Sequence, residues 1–153
     1  MTTTICHLPE AVTQDIEAYA RDVERFAAGD LSASILKSRR VPRGIYEQRK
    51  DGTFMVRVRV PGGAINAIQA RALAAVASRY GAGTLHCTTR QDIQLHDVNI
   101  EETPTVMREL LRAELTSKGG GGNTVRNDKP GFIVYAGGGM GAESRVADEL
   151  RES

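Results

Sequence analysis

Val12, Ile16, Tyr19, Ala20, Val23, Phe26 and Ala27 recur at intervals of three and four, which predicts an amphipathic helix from Pro9 to Gly29, with glycine able to end it. Over residues 54–60 the period changes to two. Phe54, Val56, Val58 and Val60 alternate with Met55, Arg57 and Arg59, the pattern of a half-buried strand. Pro61-Gly62-Gly63 stops it. Ile65, Ile68, Leu73, Val76 and Ala77 return to helical spacing over about 65–80, and Gly81 closes that helix. Gly83 to Thr89 and Asp92 to Val98 read as strands linked tightly through Arg90-Gln91, and Thr103-Pro104 opens a further helix carrying Val106, Leu110, Leu111 and Leu115. Gly44 to Gln48 adds a short strand before the turn Lys50-Asp51-Gly52. The order β-α-β-β-α predicts an α+β fold with helices on one face of an antiparallel sheet.

Alternation then sorts the faces. Leu85 and Cys87 oppose His86 and Thr88, and Ile93 and Leu95 oppose Gln94 and His96. The helices cover the apolar side, which puts Arg57, Arg59, His86, Thr88, Gln94 and His96 on the open face with Arg90 at its rim. Two arginines inside an otherwise apolar strand are costly to bury unless an anion meets them. An open face rich in cations, histidines and amides, with Asp92 as its one carboxylate, points to a negatively charged ligand.

Composition narrows this further. With 153 residues and a formal net charge of +1, the chain has room for one domain with a core, and any basic site is local. No apolar run approaches the length of a membrane span, and residues 1–9 lack the pattern of a secretion signal, so a cytoplasmic protein is expected. Cys6 and Cys87 fit no metal spacing, and Cys87 is expected to be an inert buried thiol. His86 and His96 lack the carboxylate or cysteine company of a metal site. RNA-binding sheets stack bases on aromatic residues, and no aromatic is expected on this open face. The basic stretch Lys37 to Arg43 reads as a solvated connector. Gly119 to Gly122 reads as a linker or as a run of N–H groups able to wrap an anion. After the apolar strand Phe132 to Tyr135, Gly137, Gly139 and Ala142 match G-x-G-x-x-A ahead of a helix from Glu143 to Leu150. The rest of a dinucleotide-binding βαβ unit does not follow in the sequence.

Four blocks, Gly44-Ile45-Tyr46-Glu47-Gln48-Arg49, residues 54–63, Thr88-Thr89-Arg90-Gln91-Asp92-Ile93-Gln94-Leu95-His96, and residues 115–127, resemble in order and spacing the siroheme-dependent sulfite and nitrite reductases. The resemblance implies a ferredoxin-like half-domain over 35–118, preceded by an N-terminal helical extension over 1–34. Residues 119–153 would be a truncated remnant of the siroheme/4Fe-4S domain, forming a C-terminal strand–helix extension. It implies siroheme, an anionic tetrapyrrole, as cofactor, coupled to a 4Fe-4S cluster, and six-electron reduction of sulfite or nitrite. By motif, Arg57, Arg59, Thr89, Arg90, Gln91, Gln94, His96, Asn123, Arg126 and Asn127 contact the cofactor, and Arg90 is the catalytic candidate. One of Lys37, Arg39, Arg40 or Arg43 reaches the substrate.

The family's cluster cysteines are absent from this sequence. The chain is therefore expected to be a fragment or subunit, inactive alone, that pairs with itself or with a second polypeptide carrying those cysteines, without nucleic acid or membrane. The alternatives are a non-catalytic tetrapyrrole-binding module and an inactive relic.

Overall fold

The computed structural model describes residues 10–121 and the backbone of 133–135. Helix α1 spans Glu10–Ala27 and buries Val12, Ile16, Tyr19, Ala20 and Val23, the stripe its periodicity predicts. Helix α2 (Ala33–Arg40) and a 3-10 turn (Val41–Arg43) lead into strand β1 (Ile45–Glu47), which forms a hairpin with β2 (Thr53–Val58). Strand β3 (Ala64–Asn66) precedes α3 (Ala67–Tyr80), followed by β4 (Leu85–Cys87), β5 (Ile93–Asn99) and α4 (Thr103–Arg112). Strand β6 (Ile133–Tyr135) pairs in parallel with β3 as a separate two-stranded sheet.

The main sheet has the order β1-β2-β5-β4 and is antiparallel throughout. Counting only the strands of the main sheet, β2, α3, β4, β5 and α4 follow the expected β-α-β-β-α order, with the short β3 of the second sheet interposed before α3, and β1, which comes earlier in the chain, fills the edge beside β2. Helix α3 packs on β5 and β4, α4 lies beside α3, and α1 lies beside α4, all on one side of the sheet. Ile45, Val56, Val58, Val60, Leu73, Leu95, Val98, Val106 and Leu110 are fully buried between these layers. The N-terminal helix joins the same core. Thr103 Oγ1 donates to the Ile100 carbonyl at 2.6 Å, so Tyr19 Oη is the donor in its 3.1 Å bond to Thr103 Oγ1. Burial pushes the Tyr19 hydroxyl up to about 12.

Three expectations need correction. The basic connector is not a solvated loop: Ser32 Oγ caps α2 by accepting from Ile35 N–H, and Leu36 and Arg40 are buried. Arg40 donates to the Ile45 carbonyl at 2.9 Å, and Arg43 grips Asp15 through two 2.9 Å bonds. Ile68 is 69% exposed instead of lining the core. At about 100° per residue it sits about 140° round α3 from Leu73. Asn66 and Gln69 form a reciprocal capping box that starts the helix at Ala67 and leaves Ile65 in β3. Cys87 is exposed, because β4 is the edge strand and the helical cover that reaches Leu85 stops short of it.

Candidate anion-binding site on the sheet

The site begins at the β4–β5 hairpin. Thr88 N–H donates to the Asp92 carbonyl at 2.9 Å and Gln91 N–H to the Thr88 carbonyl at 3.0 Å, closing a three-residue loop of Thr89, Arg90 and Gln91. Gln91 takes the left-handed position usual for such loops, at φ 66°, where glycine would be easier. Its side chain is buried at 2% exposure and anchors the tip, while Thr89 and Arg90 stand exposed. Thr88 Oγ1 accepts from Asp92 N–H, fixing the start of β5.

Arg57 on β2 lies directly opposite Gln94 on β5. Arg57, Thr88, Thr89, Arg90, Asp92 and Gln94 line one open cavity of about 220 Å³. Of the expected contact residues, Arg57, Thr89, Arg90 and Gln94 thus converge. The Arg57 guanidinium rests 5.4 Å over the Tyr46 ring and reaches the Gly120 carbonyl at 3.4 Å. Its Nε is buried and without a hydrogen-bond partner among the described residues. Arg59 is turned aside: Nη1 donates to the Gly119 carbonyl at 2.9 Å and Nε lies 3.6 Å from Asp92 Oδ1. Gln91 is buried beneath the loop, and none of Lys37, Arg39, Arg40 or Arg43 lines the cavity. Asn123, Arg126 and Asn127 lie outside the described residues.

His96 stands two residues beyond Gln94 on the same face, with the exposed His86 ring 4.5 Å away. Its Nδ1 is 2.9 Å from Gln48 Nε2, and its Nε2 is buried with no partner among the described residues. Burial lowers the His96 pKa below its ordinary value, His86 lowers it further, and Asp97 opposes both. A histidine depressed in the folded state binds fewer protons there than in the unfolded chain. Its contribution is present above about pH 6.5 and is lost as pH falls through that value toward the folded pKa. Urea midpoints at pH 7.5 and 5.5 should therefore drop more in the wild type than in His96→Gln; equal drops would contradict the assignment.

The structure also adds residues that sequence reasoning missed. Tyr46 pairs with Met55 and shares the face with Arg57, so the expectation of an aromatic-free face fails. Extending the alternation of β1 by one step, from Tyr46 to Gln48, would have placed both there. The glycine run is neither linker nor anion wrap where it is described. Gly119 N–H donates to the Pro42 carbonyl and Gly120 N–H to the Ser117 carbonyl, and a Cβ on Gly120 would meet the Arg57 carbonyl at 2.5 Å. Among the described residues no cluster of three His, Cys, Asp or Glu side chains could hold a metal, and no helix is long and apolar enough to cross a membrane.

Comparison with known proteins matches residues 46–113 to the nitrite/sulfite reductase ferredoxin-like half domain. The ferredoxin–nitrite reductase of Leptolyngbya laminosa is 42% identical over 77 residues, covering 50% of this chain and 15% of that protein. The chloroplastic ferredoxin–nitrite reductase of Oryza sativa subsp. japonica is 34% identical over 108 residues, covering 69% of this chain and 18% of its own. The solved structure of the Mycobacterium tuberculosis NirA protein superposes with a TM-score of 0.61 at 24% identity, covering 74% of this chain and 25% of that one, and so shares the fold. The aligned chain spans less than a fifth of these curated relatives.

Proposed function

Through residues 46–113 the chain belongs to the nitrite/sulfite reductase ferredoxin-like half-domain family, and on that premise we propose that its cationic face holds siroheme by the carboxylates, as one part of a nitrite- or sulfite-reducing assembly. The observation that carries this reading is the cavity on the sheet. Arg57 and Arg90 flank it with Thr88, Thr89 and Gln94, and Arg57 Nε and His96 Nε2 are buried donors without partners among the described residues. Buried polar groups are nearly always paired, and leaving one unpaired costs about 1–3 kcal/mol. A polycarboxylate satisfies both, so the residues present fit the group.

Siroheme, when bound, supplies the iron at which the oxyanion is reduced. The chain's own residues bind and orient. Arg57, stacked on Tyr46 and opposed to Gln94, presents a guanidinium edge to a carboxylate. Arg90, carried on an anchored hairpin tip, is exposed toward a second carboxylate or the substrate oxyanion. Arg59 acts from beneath by fixing Asp92 and the glycine run. An iron–sulfur cluster needs four cysteine ligands and this sequence has two cysteines, so the cluster and its thiolates come from outside these residues. In that assembly the chain pairs with a copy of itself or, as the source of those cysteines, with a second polypeptide, in the cytoplasm.

The test is an absorbance titration of the protein with siroheme. Saturation near one equivalent is expected, with the Arg57→Ala/Arg90→Ala double variant at least about tenfold weaker, or about 1.4 kcal/mol. No saturable binding, or an unaffected double variant, would overturn the reading and favour a relic. Binding that never supports nitrite or sulfite reduction with a cysteine-bearing partner would instead make the chain a non-catalytic tetrapyrrole carrier.

A further inference from the structure

Pairing between β2 and β5 slips at one point. Phe54 faces Val98 and Val56 faces Leu95, so His96 and Asp97 together oppose the single residue Met55. This is a β-bulge, and Asp97 adopts φ 60° within it. Gln48 Oε1 accepts the Asp97 N–H at 2.8 Å. That bond fixes which end of the Gln48 amide is which, since only its oxygen can accept. The NH2 group must then face His96 Nδ1, 2.9 Å away, and an NH2 group can only donate. Nδ1 is therefore the acceptor, and the ring proton sits on Nε2.

We propose that Gln48 is a positioning residue that holds His96 as a neutral imidazole protonated on Nε2, making His96 an obligate hydrogen-bond donor toward a ligand carboxylate on the cationic face. The identity of the ligand rests on the siroheme reading above; the tautomer does not. Three observations meet here. The bulge takes Asp97 out of the regular ladder, the amide order follows from the Asp97 bond, and Nε2 is buried without a partner among the described residues. A second proton on Nδ1 would point at the Gln48 NH2, donor against donor. The charged groups around the ring act on it too. Those that act on it directly are His86 from β4 and Asp97 on β5 itself, while Lys50 from the β1–β2 turn faces Asp97 at 3.3 Å and Arg57 on β2 faces Gln94. The arrangement also sets His86 and His96 against serving as a metal pair, because the free lone pair of His96 is the one Gln48 occupies.

The decisive measurement is nitrogen-15 NMR of the histidine rings in the ligand-free chain. At pH 7 the wild type should show His96 Nδ1 unprotonated and Nε2 protonated; a proton on Nδ1 would overturn the proposal. Gln48→Glu supplies an acceptor facing Nδ1. It should move the proton there and raise the His96 titration midpoint by about one pH unit, and an unchanged tautomer and midpoint would overturn the assignment. Gln48→Leu, which removes the constraint, should give a mixture of both tautomers; an unmixed wild-type spectrum would assign the control to another group. In siroheme titrations at a pH above the raised midpoint, where the variant ring is neutral and Nε2 carries no proton, Gln48→Glu should bind about tenfold more weakly than wild type, and equal affinity would remove the donor role. A wild type with the expected tautomer that binds no siroheme would overturn the functional reading alone.

Discussion

Gly44→Ala is expected to destabilise the protein by about 3 kcal/mol, an unusually large loss for one added methyl group. Gly44 has φ 74°, and a left-handed conformation costs a residue with a Cβ about 1–2 kcal/mol. Its Cβ would also stand 2.7 Å from the Ser117 carbonyl oxygen and 2.8 Å from that of Arg57. Both are backbone atoms in a crossing where the connector, β2 and the glycine run meet, so neither can swing away. Overpacking of this kind adds about 1–3 kcal/mol. Gly52 is the natural control. It has the same φ of 74°, and a Cβ added there would meet nothing within 4 Å, so Gly52→Ala should lose only about 1 kcal/mol through strain. Urea unfolding of the two variants separates the contributions, and equal losses would mean the crossing is not packed. The same displacement moves the Arg57 backbone, so on the proposed siroheme reading Gly44→Ala should also weaken binding of that ligand where Gly52→Ala does not.

Such a crossing could not be read from the chain. Four consecutive glycines have no side-chain periodicity, and what distinguishes Gly120 is an approach to Arg57 from a position 63 residues away. Local patterns fared better. The stripe of α1, the alternation of Val56, Val58 and Val60 against Arg57 and Arg59, and the Thr103-Pro104 helix start each express a backbone period or cap that neighbouring residues set by themselves. Helix α2 escaped because eight residues with only Leu36 and Arg40 buried carry too little apolar pattern, and five of the seven residues from Lys37 to Arg43 are polar or basic. Cys87 was misplaced because alternation says which face a residue takes but not how far the helices extend over an edge strand.

The site divides in the same way. The convergence of Arg57, Arg90, Thr89 and Gln94 followed from strand alternation and a tight hairpin, both local. The link from Gln48 to His96 did not, because it depends on a bulge that changes the register between β2 and β5, and an extra residue in one strand is visible only against its partner. Arg59 shows the limit of face assignment. It shares the polar side with Arg57, yet Asp92 and Gly119 hold it within the protein.

Arg40→Ala is expected to cost about 3 kcal/mol, through loss of a charge-assisted hydrogen bond worth about 1.5–3 kcal/mol together with buried stem contacts. Arg40 is 4% exposed, donates to the Ile45 carbonyl at 2.9 Å and lies 5.0 Å over the Phe54 ring. Its ion pair with Glu47 contributes little, because the Glu47 side chain is 67% exposed and screened by solvent. The decisive bond is to Ile45. The Gly44 carbonyl accepts from Arg57 N–H, so alternation along β1 turns the next carbonyl, that of Ile45, to the outside of the sheet. Arg40 therefore caps the outer edge of β1, the side from which another strand would add. Arg40→Met keeps most of the stem and removes the donors, so it should recover about 1 kcal/mol of the alanine loss and no more. Glu47→Ala should stay within about 1 kcal/mol of wild type. Thermal and urea unfolding rank the three, and an Arg40→Met variant as stable as wild type would show that packing alone holds this edge. With the cap removed, light scattering at rising protein concentration should report association in Arg40→Met but not in Glu47→Ala, because only the first uncovers the Ile45 carbonyl.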